Sequence, residues 1–539
     1  MIARKSFLIV ISNFIVQIFG WSGLVILAKL WGDFAPQALG TIGFAMSFLA
    51  LFNIIADLGF SRAHIKRVSE GKDLGSCIGT FAAIKICLTG LMVTFVFIAI
   101  FIWKHVMQEG FYDATTESMI FVFLIYYAFS NLSSIAVATF TGRREVVKMK
   151  IPSIFGRIAK FPLIIIVTLA GVNIVGVGIP PAVAWPQFLQ PFQQFLADHA
   201  IGSLAVTYVI DMMLVSFIGM WFLRKYPWKK PSWELFKSYF LFALPAMLVS
   251  VIGIISVNID KIMIGYFWTS VEVGYYFTMQ QILILLTILY SSVSTVLFPT
   301  LSEYHSYKNF EKIKQTTHLA ERYISMIMIP PIVVIIVFVI PVINIILNSA
   351  FLPAASVLIT LTIYAFLFGL RIPYSSLVIG VNRPDITARI GVTICLTNIT
   401  LNYLFIPNWG LLSSFGINGP TGAAIATVIS CFVGFLGFRI AAKKLTGLKL
   451  LQSHTPRHIF AGIVMAVILY YVSRFFFPVI QWYHLLGFAG CGLIIYLGVL
   501  FVLKEFKRQD LNFFLDILHP KEMVKYVSSE LKEEPKKPN

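Results

Sequence analysis

SCIGTFAAIKICLTGLMVTFVFIAIFIW, residues 76–103, contains a single charge, Lys85. Coiled as a helix at about 1.5 Å per residue, the run is longer than the roughly 30 Å of a bilayer's hydrocarbon core. Period-two alternation is absent, so a membrane β-strand is excluded. In lipid only a helix then satisfies the backbone. Lys85 lies about 14 Å into this run, too deep to reach the interface easily. A cation so placed faces a bundle interior or a watery cavity. Working outward, comparable runs recur along the whole chain. We read fourteen spans, at about 6–31, 37–60, 76–103, 118–141, 152–178, 202–223, 236–267, 271–298, 319–348, 352–380, 386–406, 419–442, 457–478 and 481–503. The expected fold is an all-α polytopic membrane protein.

Composition agrees. The 539 residues are 58% hydrophobic and 12% charged, about half the charge of a soluble domain. The net charge of +18 follows from topology and not from nucleic-acid binding. Loops alternate in basic content: one set holds Arg62, Lys66 and Arg67, then Arg143 to Lys150, Arg224 to Lys237, Lys308 to Arg322, Arg383 and Arg389, and Arg439 to Arg457. The other set holds Lys104 and Arg474 and little else basic. This asymmetry puts both termini in the cytoplasm, as an even number of spans also requires. The first hydrophobic run lacks a cleavage site and reads as a retained helix. The five cysteines form no CxxC or Cys/His cluster, so neither a zinc site nor any other cofactor site is called for.

A weak repeat, displaced by about 235–240 residues, divides the chain. Leu39-Gly40-Thr41-Ile42-Gly43-Phe44 matches Val273-Gly274-Tyr275-Tyr276-Phe277. Phe60-Ser61-Arg62 matches Phe298-Pro299-Thr300, and Gly142-Arg143-Arg144-Glu145 matches Val381-Asn382-Arg383-Pro384-Asp385. Six spans per repeat is even, so the halves enter the membrane in the same direction. They are then two six-helix lobes related by a pseudo-two-fold axis along the membrane normal, with a cavity between them. The expected units are an N-terminal lobe, 1–223; a cytoplasmic linker, 224–237; a C-terminal lobe, 238–445; two extra helices, 446–504; and a cytoplasmic tail, 505–539, amphipathic and then disordered. The Pro- and aromatic-rich segment 179–201 is either a surface helix or lid, or an interfacial loop. Pro162, Pro245, Pro330, Pro331, Pro341 and Pro373 interrupt spans and can kink them.

Four cations lie inside spans: Lys29, Lys85, Lys261 and Arg371. They are the candidates for binding an anionic substrate, with a structural ion pair or a snorkelling chain as the alternative. Lys29 and Lys261 map near one another under the repeat and would flank one cavity. The planar guanidinium of Arg371 suits a phosphate. Arg157, Lys160 and Arg62 are expected in a cytoplasmic vestibule, or as part of the positive-inside signal. Asp211, Asp260 and Asp57 are candidates for coupling to a proton or sodium ion, or for pairing with a cation. For Asp57 the favoured reading is helix C-terminal structure or pairing with Arg62.

Gly40-Thr41-Ile42-Gly43-Phe44-Ala45-Met46-Ser47-Phe48, with Ala56-Asp57-Leu58-Gly59-Phe60-Ser61-Arg62-Ala63, resembles the opening of the polysaccharide-repeat-unit flippases. These belong to the multidrug/oligosaccharidyl-lipid/polysaccharide exporter superfamily. Phe298-Pro299-Thr300-Leu301-Ser302-Glu303 and Gly380-Val381-Asn382-Arg383-Pro384 also fit that family. The resemblance covers most of residues 1–445. It implies a two-lobed, V-shaped bundle in a prokaryotic cytoplasmic membrane. Such proteins move an oligosaccharide carried on a polyprenyl phosphate or diphosphate to the outer leaflet, by alternating access. Lys29, Lys261 and Arg371 would be the cavity cations, by depth and helix number. The two extra helices resemble those of peptidoglycan-precursor flippases, where they form a groove for the lipid tail. Implied partners are the lipid-linked oligosaccharide, membrane lipids, H⁺ or Na⁺, and glycan polymerase or glycosyltransferase machinery.

Two other readings compete. A cation-coupled multidrug or metabolite antiporter of the same superfamily would rely on cavity acids, whereas span 1 carries Lys29. A membrane polymerase or acyltransferase would need a large outer loop or a His/Asp constellation. His199 beside Asp198 is the only hint of one.

Overall fold

A computed structural model describes residues 2–106, 114–173, 178–448, 454–477 and 479–505. Among them, fourteen helices of 21 residues or more each coincide with an expected span. They are α1 (Ile2–Trp31), α2 (Ala35–Asp57), α4 (Leu74–Phe101), α5 (Ala114–Gly142), α6 (Val146–Leu169), α8 (Ala200–Leu223), α9 (Trp233–Phe267), α10 (Ser270–Ser306), α11 (Phe310–Val337), α13 (Ala355–Gly380), α14 (Pro384–Phe405), α15 (Gly419–Thr446), α16 (His454–Phe476) and α17 (Trp482–Val502). Shorter helices lie between them: α3 (Phe60–Ser69), α7 (Gln190–Asp198) and α12 (Val339–Ile346). Among the described residues eleven segments are long and apolar enough to cross a membrane, the first of which, Ser12–Asp57, takes in α1 and α2 together. The chain is a multi-pass membrane protein. The tail beyond 505 lies outside the described residues.

Polar caps mark where helices begin. Asp73 accepts from Ser76 N at 2.8 Å at the head of α4, and Asn309 accepts from Lys312 N at 3.1 Å at α11. Thr269 and Glu272 form a capping box at α10. Proline breaks less than expected: Pro162, Pro330, Pro331 and Pro373 all lie inside continuous helices. The break expected near span 9 falls at Phe338, between α11 and α12. Helix α6 starts at Val146, six residues before the expected limit, because Pro152 is accommodated within its first turns.

We call the side bearing the start of α1 the near face and the opposite side the far face. The two halves of the chain meet tightly at the far face, where α2 crosses α10. A Cβ on Gly40 would stand 1.6 Å from Ser270 O, and one on Gly274 would stand 1.8 Å from Pro36 O. Only glycine permits backbones so close. These two glycines are the pair that the repeat equates. Asn348 adds hydrogen bonds to the carbonyls of Ala28 and Gly32, the latter at 3.1 Å. One apolar core runs through both halves here, from Trp31, Ala38 and Ile42 to Val273, Tyr276 and Phe351. Towards the near face it gives way to two separate clusters. One is built on Phe60, Phe81, Phe140 and Tyr239, the other on Leu301, Ile313, Tyr374 and Phe438. Among the described residues, then, the broadest core shared by the halves lies towards the far face, and at the near face the second half joins the first only through the start of α9, at Tyr239 and Ala243.

The segment joining the halves is pinned at the near face. Lys229 N donates to Gly75 O at 3.2 Å, and Lys229 Nζ pairs with Asp73 at 2.9 Å. Ser232 N donates to Thr80 Oγ1 at 2.9 Å. Beyond it, Tyr239 and Ala243 of α9 belong to the apolar cluster of α3, α4 and α5. Helices α16 and α17 pack on one another and on α11. Their near ends are tied by buried Glu505, which accepts from Arg322 at 2.9 Å, Arg457 at 2.7 Å and His454 at 2.9 Å.

Candidate functional site

Two adjoining cavities occupy the middle of the bundle. The first, of about 350 Å³, lies between the halves: Met46, Ser47 and Tyr127 face Lys261, Gln280 and Tyr364 across it. Lys261 is the only charged residue in its lining. It is 5% exposed, and its Nζ donates to Val257 O at 2.7 Å and to Gln280 Oε1 at 3.1 Å. The second cavity, of about 370 Å³, is lined by α9, α13, α14 and α15 and shares Val257 and Tyr364 with the first. Arg371 is its only charge. The guanidinium carbon lies 4.3 Å from the centre of the Phe368 ring, a cation–π contact that leaves the N–H fork free for a ligand. Among the described residues no carboxylate pairs with either cation. A cation out of water with no anion beside it is costly, and these two give the adjoining cavities a positive character.

Asp260 stands at the back of the second cavity. Its carboxylate is 1% exposed and accepts from Tyr276 OH at 2.6 Å, Asn402 Nδ2 at 2.6 Å and Thr427 Oγ1 at 2.9 Å. Asn398 Nδ2 reaches Thr427 Oγ1, and Asn402 Nδ2 also reaches Asn398 Oδ1, each at 3.3 Å. Asn402 Oδ1 is buried without a partner. Asn398 and Thr427 line the Arg371 cavity, so this acid network and the cation share a wall. Asp260 makes no ion pair with its sequence neighbour Lys261; consecutive helix positions point about 100° apart.

The other candidates lie elsewhere. Lys29 is exposed at the far end of α1 and donates to Asn344 O at 2.5 Å; it lines neither cavity and does not flank one with Lys261. Lys85 is buried against Asp57 at 2.7 Å and Ala56 O at 3.1 Å. Asp57 thus pairs with Lys85 rather than with Arg62, and it also accepts from Ser61. Arg62 is exposed at the near face, at the start of α3. Arg157 and Lys160 sit at mid-helix instead of at a vestibule, because α6 begins earlier than expected. Arg157 NH1 pairs with Asp211 at 2.8 Å, and Lys160 Nζ lies 2.8 Å from the centre of the Tyr208 ring. Sequence reasoning missed Gln280, Tyr276, Asn402 and Thr427, all uncharged. Asn398 and Asn402 at i, i+4 on an apolar helix were the available signal.

With this geometry in hand, known proteins can be compared. A family model described as "Polysaccharide biosynthesis protein" matches residues 195–356. The chain is 24% identical over 439 residues to a Haloferax volcanii protein named "probable low-salt glycan biosynthesis flippase Agl15"; the match covers 80% of this chain and 81% of that one. Among solved structures the fold is that of the lipid II flippase MurJ in an inward closed conformation, with TM-score 0.69 and 19% identity over 94% of this chain and 99% of the other. It is also that of an inward-facing multidrug resistance MATE transporter of the MOP superfamily, with TM-score 0.59 and 14% identity over 81% and 99%. A match over 94% of the chain must extend past α15, into the region of α16 and α17. The chain therefore has the all-helical fold seen in these membrane proteins. Family model, relative and fold are thus similarities to a polysaccharide biosynthesis family, a glycan flippase and a lipid II flippase.

Proposed function

We propose that this protein is a flippase that carries a polyprenyl phosphate- or diphosphate-linked oligosaccharide from the cytoplasmic to the outer leaflet of a prokaryotic cytoplasmic membrane. The near face, with both termini, is cytoplasmic in this reading. The carrying observation is the pair of unneutralised cations, Lys261 and Arg371, in adjoining central cavities. A lipid head group cannot cross hydrocarbon unaided, because its charges and hydroxyls would lose their water. Here Arg371 binds a phosphate oxygen pair through its fork and Lys261 adds a point charge. The cavity walls shelter the sugar while the lipid tail stays in the bilayer. Closure by the Gly40–Gly274 crossing at the far face, with two distinct apolar clusters at the near face, supports a cytoplasm-facing reading. Rocking of one half on the other exposes the same site to the outer leaflet.

The acid network supports ion coupling. Asp260, Asn398, Asn402 and Thr427 form one buried polar network, and its orphaned acceptor, the oxygen of Asn402, suits a sodium ion. A proton would not satisfy it, since an amide oxygen is not basic. Bound sodium would supply positive charge beside Asp260, on the wall shared with Arg371. Substrates of an antiporter for organic cations would meet Lys261 and Arg371 head on, which disfavours that reading.

The test is accumulation of lipid-linked oligosaccharide in cells lacking the protein, with sidedness read by a membrane-impermeant sugar probe. Build-up on the cytoplasmic leaflet, cured by the wild type and not by Arg371→Ala, is expected. Normal levels with altered sensitivity to cationic compounds would overturn the assignment.

A further inference from the structure

The far face holds a cavity that transport through the centre does not use. It measures about 510 Å³ and lies between the end of α6 and helix α7, lined by Asn173, Trp185, Gln190, Gln193 and Gln194 among small apolar residues. Among the described residues no charged side chain lines it. Its size falls within the range of small-molecule sites.

The backbone around it is tied down. Val172 and Ile179 exchange hydrogen bonds of 3.0 and 2.7 Å, Asn173 N donates to Ala197 O at 3.1 Å, and Ala182 N donates to Leu169 O at 3.2 Å. The amides are anchored by their nitrogens. Asn173 Nδ2 and Gln194 Nε2 both donate to Asp198 Oδ1, at 2.9 and 3.0 Å, and Gln193 Nε2 donates to Val183 O at 2.9 Å. Carboxylate and carbonyl oxygens accept only, so these partners fix each amide's orientation. Three amide oxygens are left as acceptors. Gln193 is 92% buried by its 8% exposure, and its oxygen has no partner among the described residues. Asp198 spends its charge holding two of the amides, outside the lining.

A ligand for this cavity is uncharged, donates several hydrogen bonds and has an apolar face for Trp185. A sugar ring meets all three conditions: its hydroxyls donate, and its C–H face lies against an aromatic plane. The location adds a fourth. Phe188, Phe192 and Phe195, 80%, 51% and 56% exposed, form an aromatic edge on α7 and the turn before it. Such an edge seats a short helix at the head-group level of a leaflet. The cavity therefore stands where the head of an outer-leaflet glycolipid would be.

We propose that this cavity is a carbohydrate-binding site for neutral hexose or N-acetylhexosamine units at the far face. It rests on the flippase reading for its orientation and not for its chemistry. Free oligosaccharide and the glycan of a lipid-linked oligosaccharide present the same hydroxyls, and the test separates them. Full-length protein in nanodiscs is examined by saturation-transfer NMR with maltotriose and chitotriose. At least one should show saturable binding in the wild type, weakened tenfold or more by Trp185→Ala and measurably by Gln194→Leu, an exposed position that spares the fold. Competition with chitobiose on farnesyl diphosphate identifies the source: displacement marks a lipid-borne glycan, and retained binding marks a free one. No transfer to either sugar, or transfer unchanged in both variants, overturns the proposal. Flipping by the wild type without sugar binding defeats this site alone; sugar binding without flipping defeats the transport assignment and leaves the site standing.

Discussion

Replacing Gly40 with alanine adds one methyl group where the far-face closure has no space for it. The new Cβ would stand 1.6 Å from Ser270 O and 2.6 Å from Gly274 N. Both atoms are helix backbone and cannot swing aside as a side chain would. Non-bonded contact needs about 3.5 Å, so α2 and α10 must part by close to 2 Å at the crossing. Overpacking of this kind costs about 1–3 kcal/mol. The crossing exists only when the far face is closed, so the cost falls on that state alone. At about 1.4 kcal/mol per tenfold, its population relative to the far-open state drops by roughly 5–150-fold. Spin labels at exposed Asp33 and Ser349 would report the separation by double electron–electron resonance. Gly40→Ala and Gly274→Ala should both shift the distribution to longer distances and slow flipping. Gly20→Ala, with nothing within 4 Å of its added atom, should do neither. An unchanged distance distribution with full transport in Gly40→Ala would refute the closure argument.

Four further outcomes are expected. Lys261→Ala and Arg371→Ala should each abolish flipping at normal membrane abundance, while Lys29→Ala retains most of it; equal loss in all three would return Lys29 to the site. Asp260→Asn should reduce dependence of transport on sodium without reducing expression, and an unaltered sodium response in vesicles would remove the network from coupling. Lys85→Ala should cost about 3 kcal/mol by leaving Asp57 unpaired. The apolar pair Lys85→Met with Asp57→Leu should recover both thermal stability and transport, and recovery of stability alone would assign Lys85 to the substrate. Burial would raise the Glu505 carboxyl, but hydrogen bonds from Arg457 and Arg322 and the nearby His454 hold it below its ordinary value. A depressed carboxyl stabilises the fold above its unfolded pKa, roughly 4.3, and that contribution fades as pH falls through the lower folded value. Melting temperature should decline over that window in the wild type and less so in Glu505→Ala, which is already weakened at pH 7. Parallel declines would show that the cluster is not the acid-sensitive element.

Most spans were legible because they are long apolar runs, and the far-face crossing because Gly40 and Gly274 recur at the repeat distance. Direction around a helix was not legible. Lipid and protein core are equally apolar, so nothing in the pattern around Lys29 or Lys160 says which way each points. Depth failed for Arg157 because a proline at 152 resembles a helix start, whereas the helix runs through it from Val146. Charge identified Asp260, while its partners Tyr276, Asn402 and Thr427 carry none and look like ordinary span residues. The Pro- and aromatic-rich segment after α6 offered two readings, and the structure contains a short surface helix there, α7.

The pinned linker has a mechanical consequence. Gly75 and Gly79 let it lie flat on α4, with a Cβ at Gly79 only 1.9 Å from Lys229 O, and Tyr239 and Ala243 extend the attachment into α9 itself. A slack tether would let the halves drift independently, but this one is clamped like a beam in a wall. Any swing must then be taken up along the shaft of α9, between Ala243 and the Asp260–Lys261 pair. The same rod that bends would carry both Asp260 and a cavity cation at its tip, so flexing it would move the two together.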